Sequence, residues 1–214
     1  MTIVITGASR GIGAGLAAHY KDLGEDVIGT GRSVAAQIQL DVTQPASHHA
    51  MAQALEDRPV DLLICNAGVY LDRGNDLETG FGADLWAQSF ATNVTGVFLS
   101  IQALLPHVRR ARSSKIAIIS SQMASSERAP GGSYIYRASK AAVLNLGRNL
   151  ATDLRPEGIA VGIYHPGYVQ TDMGGANADI TTQESVAGLV ERFEALSIET
   201  TGCFETWDGR DYPF

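Results

Sequence analysis

Thr2-Ile3-Val4-Ile5-Thr6-Gly7-Ala8-Ser9-Arg10-Gly11-Ile12-Gly13 joins a short β-branched run to a glycine-rich turn, and an apolar-periodic segment then runs from Ile12 to Leu23 and stops before Gly24. The pattern predicts strand, loop and helix in that order. A turn at this place offers backbone N–H groups and a helix dipole to a pyrophosphate, and its glycines let the chain turn sharply and approach the ligand. Glycines at this spacing also suit a plain flexible turn. Their position directly behind the first strand is what favours the phosphate reading.

Outward from that stretch, strand-like runs recur at Val27 to Thr30, Ile38 to Asp41, Asp61 to Asn66, Lys115 to Ser121, Ile159 to Tyr164 and Cys203 to Trp207. Helix-like stretches separate most of them. Leu62-Leu63-Ile64-Cys65 and Ile116-Ala117-Ile118-Ile119 are apolar at nearly every position, as expected of strands covered by helices on both faces of a parallel sheet. The order predicts an α/β fold: one Rossmann-type domain over residues 1–214, with a doubly wound parallel sheet of about seven strands and helices on both faces. The interval between Arg32 and Ile38 is too short for a full helix. Thr181-Thr182-Gln183-Glu184 contains a capping box, which starts a last helix with Val186, Leu189, Val190, Phe193 and Leu196 on its apolar side. Ser133 to Arg155 is apolar on more faces than one sheet contact requires, so a subunit interface is expected there.

The formal charge of −7 over 214 residues would repel a polyanion, which argues against nucleic acid as a partner. Arg109, Arg110 and Arg112 sit where they complement a helix C-terminus. Neither a leader-like start nor an apolar run of membrane length is present, and a cytoplasmic protein with no membrane partner is expected. Cys65 and Cys203 fit that expectation as buried thiols outside any Cys-x-x-Cys pair. The histidines lack metal-ligand spacing, and no metal site is expected.

The acidic residue that would hold an adenosine ribose is expected at the end of the second strand, but this chain reads Gly29-Thr30-Gly31-Arg32-Ser33 there. With no carboxylate to repel a 2′-phosphate and with Arg32 and Arg10 available, NADP is favoured over NAD. Tyr136 and Lys140, in Tyr-Arg-Ala-Ser-Lys, share one helix face. A nearby ammonium favours phenolate and would lower a pKa that starts at about 10, making Tyr136 a general acid or base. Such pairs also occur on ordinary amphipathic surfaces. The neighbouring Tyr134 is followed four residues later by Ala138 and lacks a cation partner.

Together, Thr6-Gly7-x-x-x-Gly11-x-Gly13, Asp41-Val42, Asn66-Ala67-Gly68, Asn93, Ser120-Ser121, Tyr136-x-x-x-Lys140 and Pro166-Gly167 resemble the short-chain dehydrogenase/reductase family over nearly the whole chain. The resemblance implies that Gly7, Ser9, Arg10, Gly11, Ile12 and Gly13 cradle the cofactor, and that Asp41 and Val42 contact its adenine. It implies that Asn66, Ala67 and Gly68 line the cleft, although Cys65 stands where the family usually has a first asparagine and puts one strand-tethering contact in doubt. Pro166, Gly167, Val169 and Thr171 look like the segment that holds the nicotinamide carboxamide.

The same resemblance implies a catalytic set. Tyr136 would supply a proton to a carbonyl oxygen as hydride arrives, and Ser121, rather than Ser120, would polarise that carbonyl. Lys140 would lower the phenol pKa and bind the nicotinamide ribose, and Asn93 would hold a water relaying protons to Lys140. Substrate contacts are expected from Tyr70, Gln122, Met123 and Tyr168, with Arg128 and Met173 nearby. The short Gly-, Ala- and Asn-rich interval before the capping box predicts no helical lid. The expected activity is an NADP-linked carbonyl reductase or alcohol dehydrogenase, homodimeric or homotetrameric, acting on a small carbonyl or alcohol; the alternative is a non-catalytic dinucleotide-binding protein.

Overall fold

The computed structural model describes residues 1–34 and 36–214. Strand β1 (Thr2–Ile5) leads through the glycine turn into helix α1 (Gly11–Asp22), followed by β2 (Asp26–Gly31), β3 (Ile38–Gln39) and α2 (Pro45–Ala54). Then come β4 (Leu62–Cys65), α3 (Ala83–Phe90), a π-helical turn (Ala91–Thr95), α4 (Gly96–Arg110) and β5 (Lys115–Ile119). The chain finishes with α5 (Tyr134–Leu154), β6 (Ala160–His165), α6 (Thr182–Ala195) and β7 (Phe204–Thr206).

Among the described residues the strands form one seven-stranded parallel sheet in the order β3-β2-β1-β4-β5-β6-β7. The order reverses between β1 and β4, so a crevice opens beyond the carboxyl ends of the central strands. Alternation along each strand divides the core into two layers. Ile3, Ile5, Leu62 and Ile64 meet Leu16 and Tyr20 of α1 and Leu189 and Phe193 of α6 on one face. On the other face Val4, Leu63, Ile116, Ile118 and Ile163 meet Met51, Ile101, Leu104, Val143 and Leu144 of α2, α4 and α5. Many of these side chains are fully buried, each stabilising the fold by about 1.5–3 kcal/mol relative to exposure. Gly147 lets α5 lie close against β6, since a Cβ there would come within 2.6 Å of Ile163 Cγ1.

Strand positions match the sequence reading, with ends moved by a residue or more: β3 stops at Gln39 and β6 extends to His165. The described residues between Gly31 and Ile38 form turns, as the short interval predicts. Thr181 and Glu184 form both hydrogen bonds of the capping box. The reading of Cys203 as buried needs correction. It lies just before β7, half-buried, with its sulfur 3.8 Å from the Tyr164 hydroxyl, whereas Cys65 is fully enclosed. No helix among the described residues is long and apolar enough to cross a membrane.

Candidate active site

The glycine turn is shaped by close approach rather than by looseness. Gly7 and Gly11 have φ of +69° and +55°, and a Cβ on Gly13 would lie 2.3 Å from Gly7 O and 2.4 Å from Asn66 Nδ2. Arg10 at the N-cap of α1 makes no side-chain cap, so the amides of the first turn are left to face the crevice. Uncapped amides at a helix start behind a glycine turn fit a pyrophosphate.

Asn66 and Thr6 lock this turn to β4. The Asn66 amide donates to Thr6 O and Gly7 O, both at 3.0 Å, and Thr6 Oγ1 accepts the N–H of Asn66 at 3.0 Å and of Ala67 at 3.1 Å. Cys65 meanwhile sits in the apolar core. One asparagine and one threonine therefore tie the two strand ends together.

The two arginines expected at the adenosine end of a cofactor differ. Arg10 pairs with Asp172 at 2.9 Å, across the crevice from the glycine turn to the segment after β6. Among the described residues no ion pair engages Arg32, which lies near Asp41. Asp41 Oδ1 accepts from the Thr43 N–H and hydroxyl, and these bonds hold its carboxyl below the usual range. Val42 O is bound by His48, and Gly96 passes so close that a Cβ would lie 2.8 Å from that carbonyl.

At the ends of β5 and α5 the four expected catalytic side chains converge. Ser120 donates backward to Lys140 O at 3.0 Å, while Ser121 accepts from Met123 N–H at 3.1 Å and faces the Tyr136 phenol. Lys140 donates to Ile119 O at 2.9 Å with its ammonium 5.8 Å from the centre of the Tyr136 ring. Its pKa is pushed down to about 8 by burial. The phenol departs from the expectation that the ammonium lowers its pKa: burial pushes Tyr136 up to about 12, against a lowering contribution from Ser121.

Asn93, in the π-helical turn, is fully buried and works as a strut. Its amide donates to Val69 O and Ser139 Oγ at 2.9 and 3.0 Å, and its carbonyl accepts Val69 N–H at 2.8 Å. Gly68 borders both Asn93 and Lys140, since a Cβ on it would lie 3.3 Å from Asn93 Oδ1 and 3.5 Å from Lys140 Nζ. A side chain at this position would press on both polar groups.

The expected substrate residues surround this centre unequally. Tyr70 stacks on Tyr136 with ring centroids 4.4 Å apart, while Gln122 and Tyr168 are exposed and Met123 is half-buried. Pro166 O accepts from Ser185, Val169 bridges to Ile180, and Thr171 Oγ1 accepts Gly174 N–H at 3.0 Å. The described chain from Gln170 to Ile180 contains turns and no helix, and Met173 is exposed beside it. Arg73 reaches from the loop after β4 to Met173 O and lies over the Tyr70 ring. Arg128 instead turns to Tyr212 near the C-terminus.

Sequence reasoning missed Asp72, Arg73, Ser139 and Asp172. Ser139 lies within the Tyr-x-x-x-Lys run and could have been flagged by position. The others have no local signal, because their partners are distant in sequence.

A model of the short chain dehydrogenase family matches residues 1–182. The chain is 33% identical over 225 residues to 1-hydroxy-2-glutathionyl-2-methyl-3-butene dehydrogenase of Rhodococcus sp. (strain AD45), covering 97% of each chain. It is 38% identical over 161 residues to the C-signal of Myxococcus xanthus, covering 73% of this chain and 93% of that one. The NADPH-bound carbonyl reductase from chicken fatty liver has a TM-score of 0.91 at 31% identity, covering 100% of this chain and 98% of that one.

Proposed function

The chain belongs to the short-chain dehydrogenase/reductase family and is an NAD(P)-dependent oxidoreductase, and on that premise we propose that it is an NADP-preferring carbonyl reductase or alcohol dehydrogenase with Tyr136 as its acid/base. The observation that carries this reading is the meeting of the Tyr136 phenol with Ser121 and Lys140 at the crevice that the glycine turn opens. When bound, the reduced nicotinamide supplies the hydride. Ser121 donates to the carbonyl oxygen and orients it. Tyr136 then delivers its proton to that oxygen as negative charge develops there, and in the opposite direction it accepts the proton of the alcohol.

With burial pushing its pKa up to about 12, the phenol stays protonated near neutrality and so has a proton to give, though it is a weaker acid than a free phenol. Lys140, its ammonium 5.8 Å from the centre of the Tyr136 ring, would favour the phenolate as negative charge develops, without offsetting the effect of burial on the resting phenol. The space beside Gly68, bordered by Asn93 and Lys140, suits a water through which Lys140 recovers protons. The amides at the start of α1 would hold the pyrophosphate, Arg32 the 2′-phosphate, and Val169 and Thr171 the carboxamide. The guanidinium of Arg32, in no ion pair among the described residues, supports NADP over NAD. The free thiols Cys65 and Cys203 support a cytoplasmic setting, and exposed Phe98 and Tyr134 on α4 and α5 support a homodimer or homotetramer.

Titration with both cofactors, followed by a panel of aldehydes and ketones monitored by loss of reduced-nicotinamide absorbance, tests the proposal. Turnover with NADPH that disappears in Tyr136→Phe, with NADPH still bound, is the expected result. Cofactor binding without turnover on the whole panel would favour a non-catalytic dinucleotide-binding protein, a reading to which the likeness to a protein named C-signal gives weight.

A further inference from the structure

Helix α5, which carries Tyr136 and Lys140, begins without a cap of its own. Ser133 stands at its N-cap in the left-handed region, with φ 48° and ψ 42°, and gives no side-chain hydrogen bond to the first turn. The N–H groups of Ile135 and Tyr136 would then lack partners in a buried place, a costly arrangement. Both donate to one side chain from the loop after β4. Asp72 Oδ2 accepts Ile135 N–H at 2.8 Å, and the Tyr136 N–H lies 3.2 Å from Oδ1 and 3.4 Å from Oδ2.

Asp72 is 1% exposed, and among the described residues no cation forms an ion pair with it. Its carboxylate is balanced instead by the amides and dipole at the start of α5. Its neighbours grip the same helix start: the Tyr70 hydroxyl bonds to Ser133 while its ring stacks on Tyr136, and Arg73 lies over that ring. Buried carboxylates without a cation are rare because desolvation is expensive. An uncharged acceptor would satisfy two amides at lower cost, so the charge calls for a reason.

We infer that Asp72 is a positioning residue for catalysis, which caps α5 at the amide of Tyr136 and so fixes the phenol against Ser121 and Lys140. The inference rests on Tyr136 being the acid/base of the proposed reaction. Asp72 also acts through charge. The groups that face Tyr136 are Ser121 from the end of β5, Lys140 from α5 itself, and Tyr70, Asp72 and Arg73 from the loop after β4. Of these, the Asp72 carboxylate opposes ionisation of the phenol, while Arg73 and Ser121 favour it. Asp72 thus helps keep Tyr136 protonated, ready to act as an acid in carbonyl reduction.

Two substitutions separate the cap from the charge. Asp72→Asn keeps an oxygen acceptor and removes the charge, and Asp72→Ala removes both. In Asp72→Ala, kcat is expected to fall about 30-fold or more while the Kd for NADPH stays within about twofold. Hydrogen exchange at the Ile135 and Tyr136 amides should accelerate about tenfold or more in the same variant. In Asp72→Asn, kcat should recover to within about fivefold of wild type, and the phenol-dependent limb of the pH–rate profile should move down by about half a unit or more. A limb unmoved in Asp72→Asn overturns the inference, as does wild-type kcat or unchanged amide exchange in Asp72→Ala. If Asp72→Ala fails to fold, the Asp72→Asn limb decides alone. Absence of turnover in the wild-type protein overturns the oxidoreductase reading instead, and the amide exchange still reports whether the cap exists.

Discussion

The rings of Tyr70 and Tyr136 lie stacked, with centroids 4.4 Å apart and 25° between their planes, so the side chain proposed to move the proton has an aromatic roof. That roof helps keep water from the phenol, and exclusion of water is the main cause of its high pKa. Replacing Tyr70 by Ala opens the site and is expected to move the phenol down from about 12 toward its ordinary value. In alcohol oxidation, activity should then rise at lower pH than in wild type. Tyr70→Phe keeps the stack and loses the hydroxyl with its bond to Ser133 and its small raising effect on the phenol, so its pH profile should move down much less than that of Tyr70→Ala. Profiles of kcat/KM for both variants check this.

Lys140 carries a cost that its removal should reveal. Burial pushes its pKa from 10.5 to about 8, so at neutral pH the ammonium is charged in both folded and unfolded states and the folded state bears the desolvation. The penalty is full below about pH 8 and vanishes as pH rises to about 10.5, where the unfolded side chain also loses its proton. Lys140→Met should therefore abolish turnover while gaining about 1–2 kcal/mol of stability at pH 7, after allowing for the lost bond to Ile119 O. Urea unfolding at pH 7 and pH 10 should show the gain at the lower pH and its shrinkage at the higher.

His165, at the end of β6, gives the fold an acid sensitivity. It is buried, its Nδ1 lacks a hydrogen-bond partner among the described residues, and burial pushes its pKa from 6.5 to about 4. The folded imidazole stays neutral down to about pH 4, whereas in the unfolded chain it takes up a proton below about pH 6.5. Stability should fall through that window by about 3 kcal/mol. In His165→Asn this part of the acid slope should disappear, as read from melting temperatures at half-unit steps of pH.

Cofactor choice should follow Arg32 more than Arg10. Arg10 is held by Asp172, and Arg32 is in no ion pair among the described residues. Arg32→Ala is expected to weaken NADPH binding by about 10- to 100-fold with NADH affinity changed less than about threefold. Arg10→Ala should have a smaller effect. Fluorescence titration of the reduced cofactors measures both.

Gly13 offers a purely steric test. A Cβ at this position meets the Gly7 carbonyl and the Asn66 amide at once, so Gly13→Ala must disturb the hydrogen bonds that join β1 to β4. A loss of about 1–3 kcal/mol in stability is expected, together with weakened binding of either cofactor. Calorimetry and cofactor titration give the two readings.

Much of the fold was legible because its signals are local. Ile3, Ile5, Leu63 and Ile118 announce buried strands by apolar runs, and Thr181 and Glu184 declare a helix start three residues apart. Tyr136, Lys140 and the serine pair were readable for the same reason, since one helix face and one strand end bring them together. Alternation sends Ser120 and Ser121 to opposite faces, the family resemblance selects the second, and the structure gives them different partners. The electrostatics of Tyr136 were not legible. Counting Lys140 as a nearby cation ignores burial, which depends on Tyr70 and on the whole wall around the phenol. Asp72 was hidden because its two partners lie on α5, some sixty residues onward. Asp172 escaped because a carboxylate beside Thr171 resembles any surface residue until Arg10 is seen across the crevice.

Because the segment from Gln170 to Ile180 contains no helix and is tied at its base by the Val169–Ile180 bridge, the movement of a hinged cover is not expected to limit the proposed reaction. Departure of the small product should be quick, leaving either hydride delivery or escape of the spent dinucleotide as the slow event. A deuterated reductant would tell the two apart: a full primary isotope effect on kcat marks the first, and its suppression marks the second.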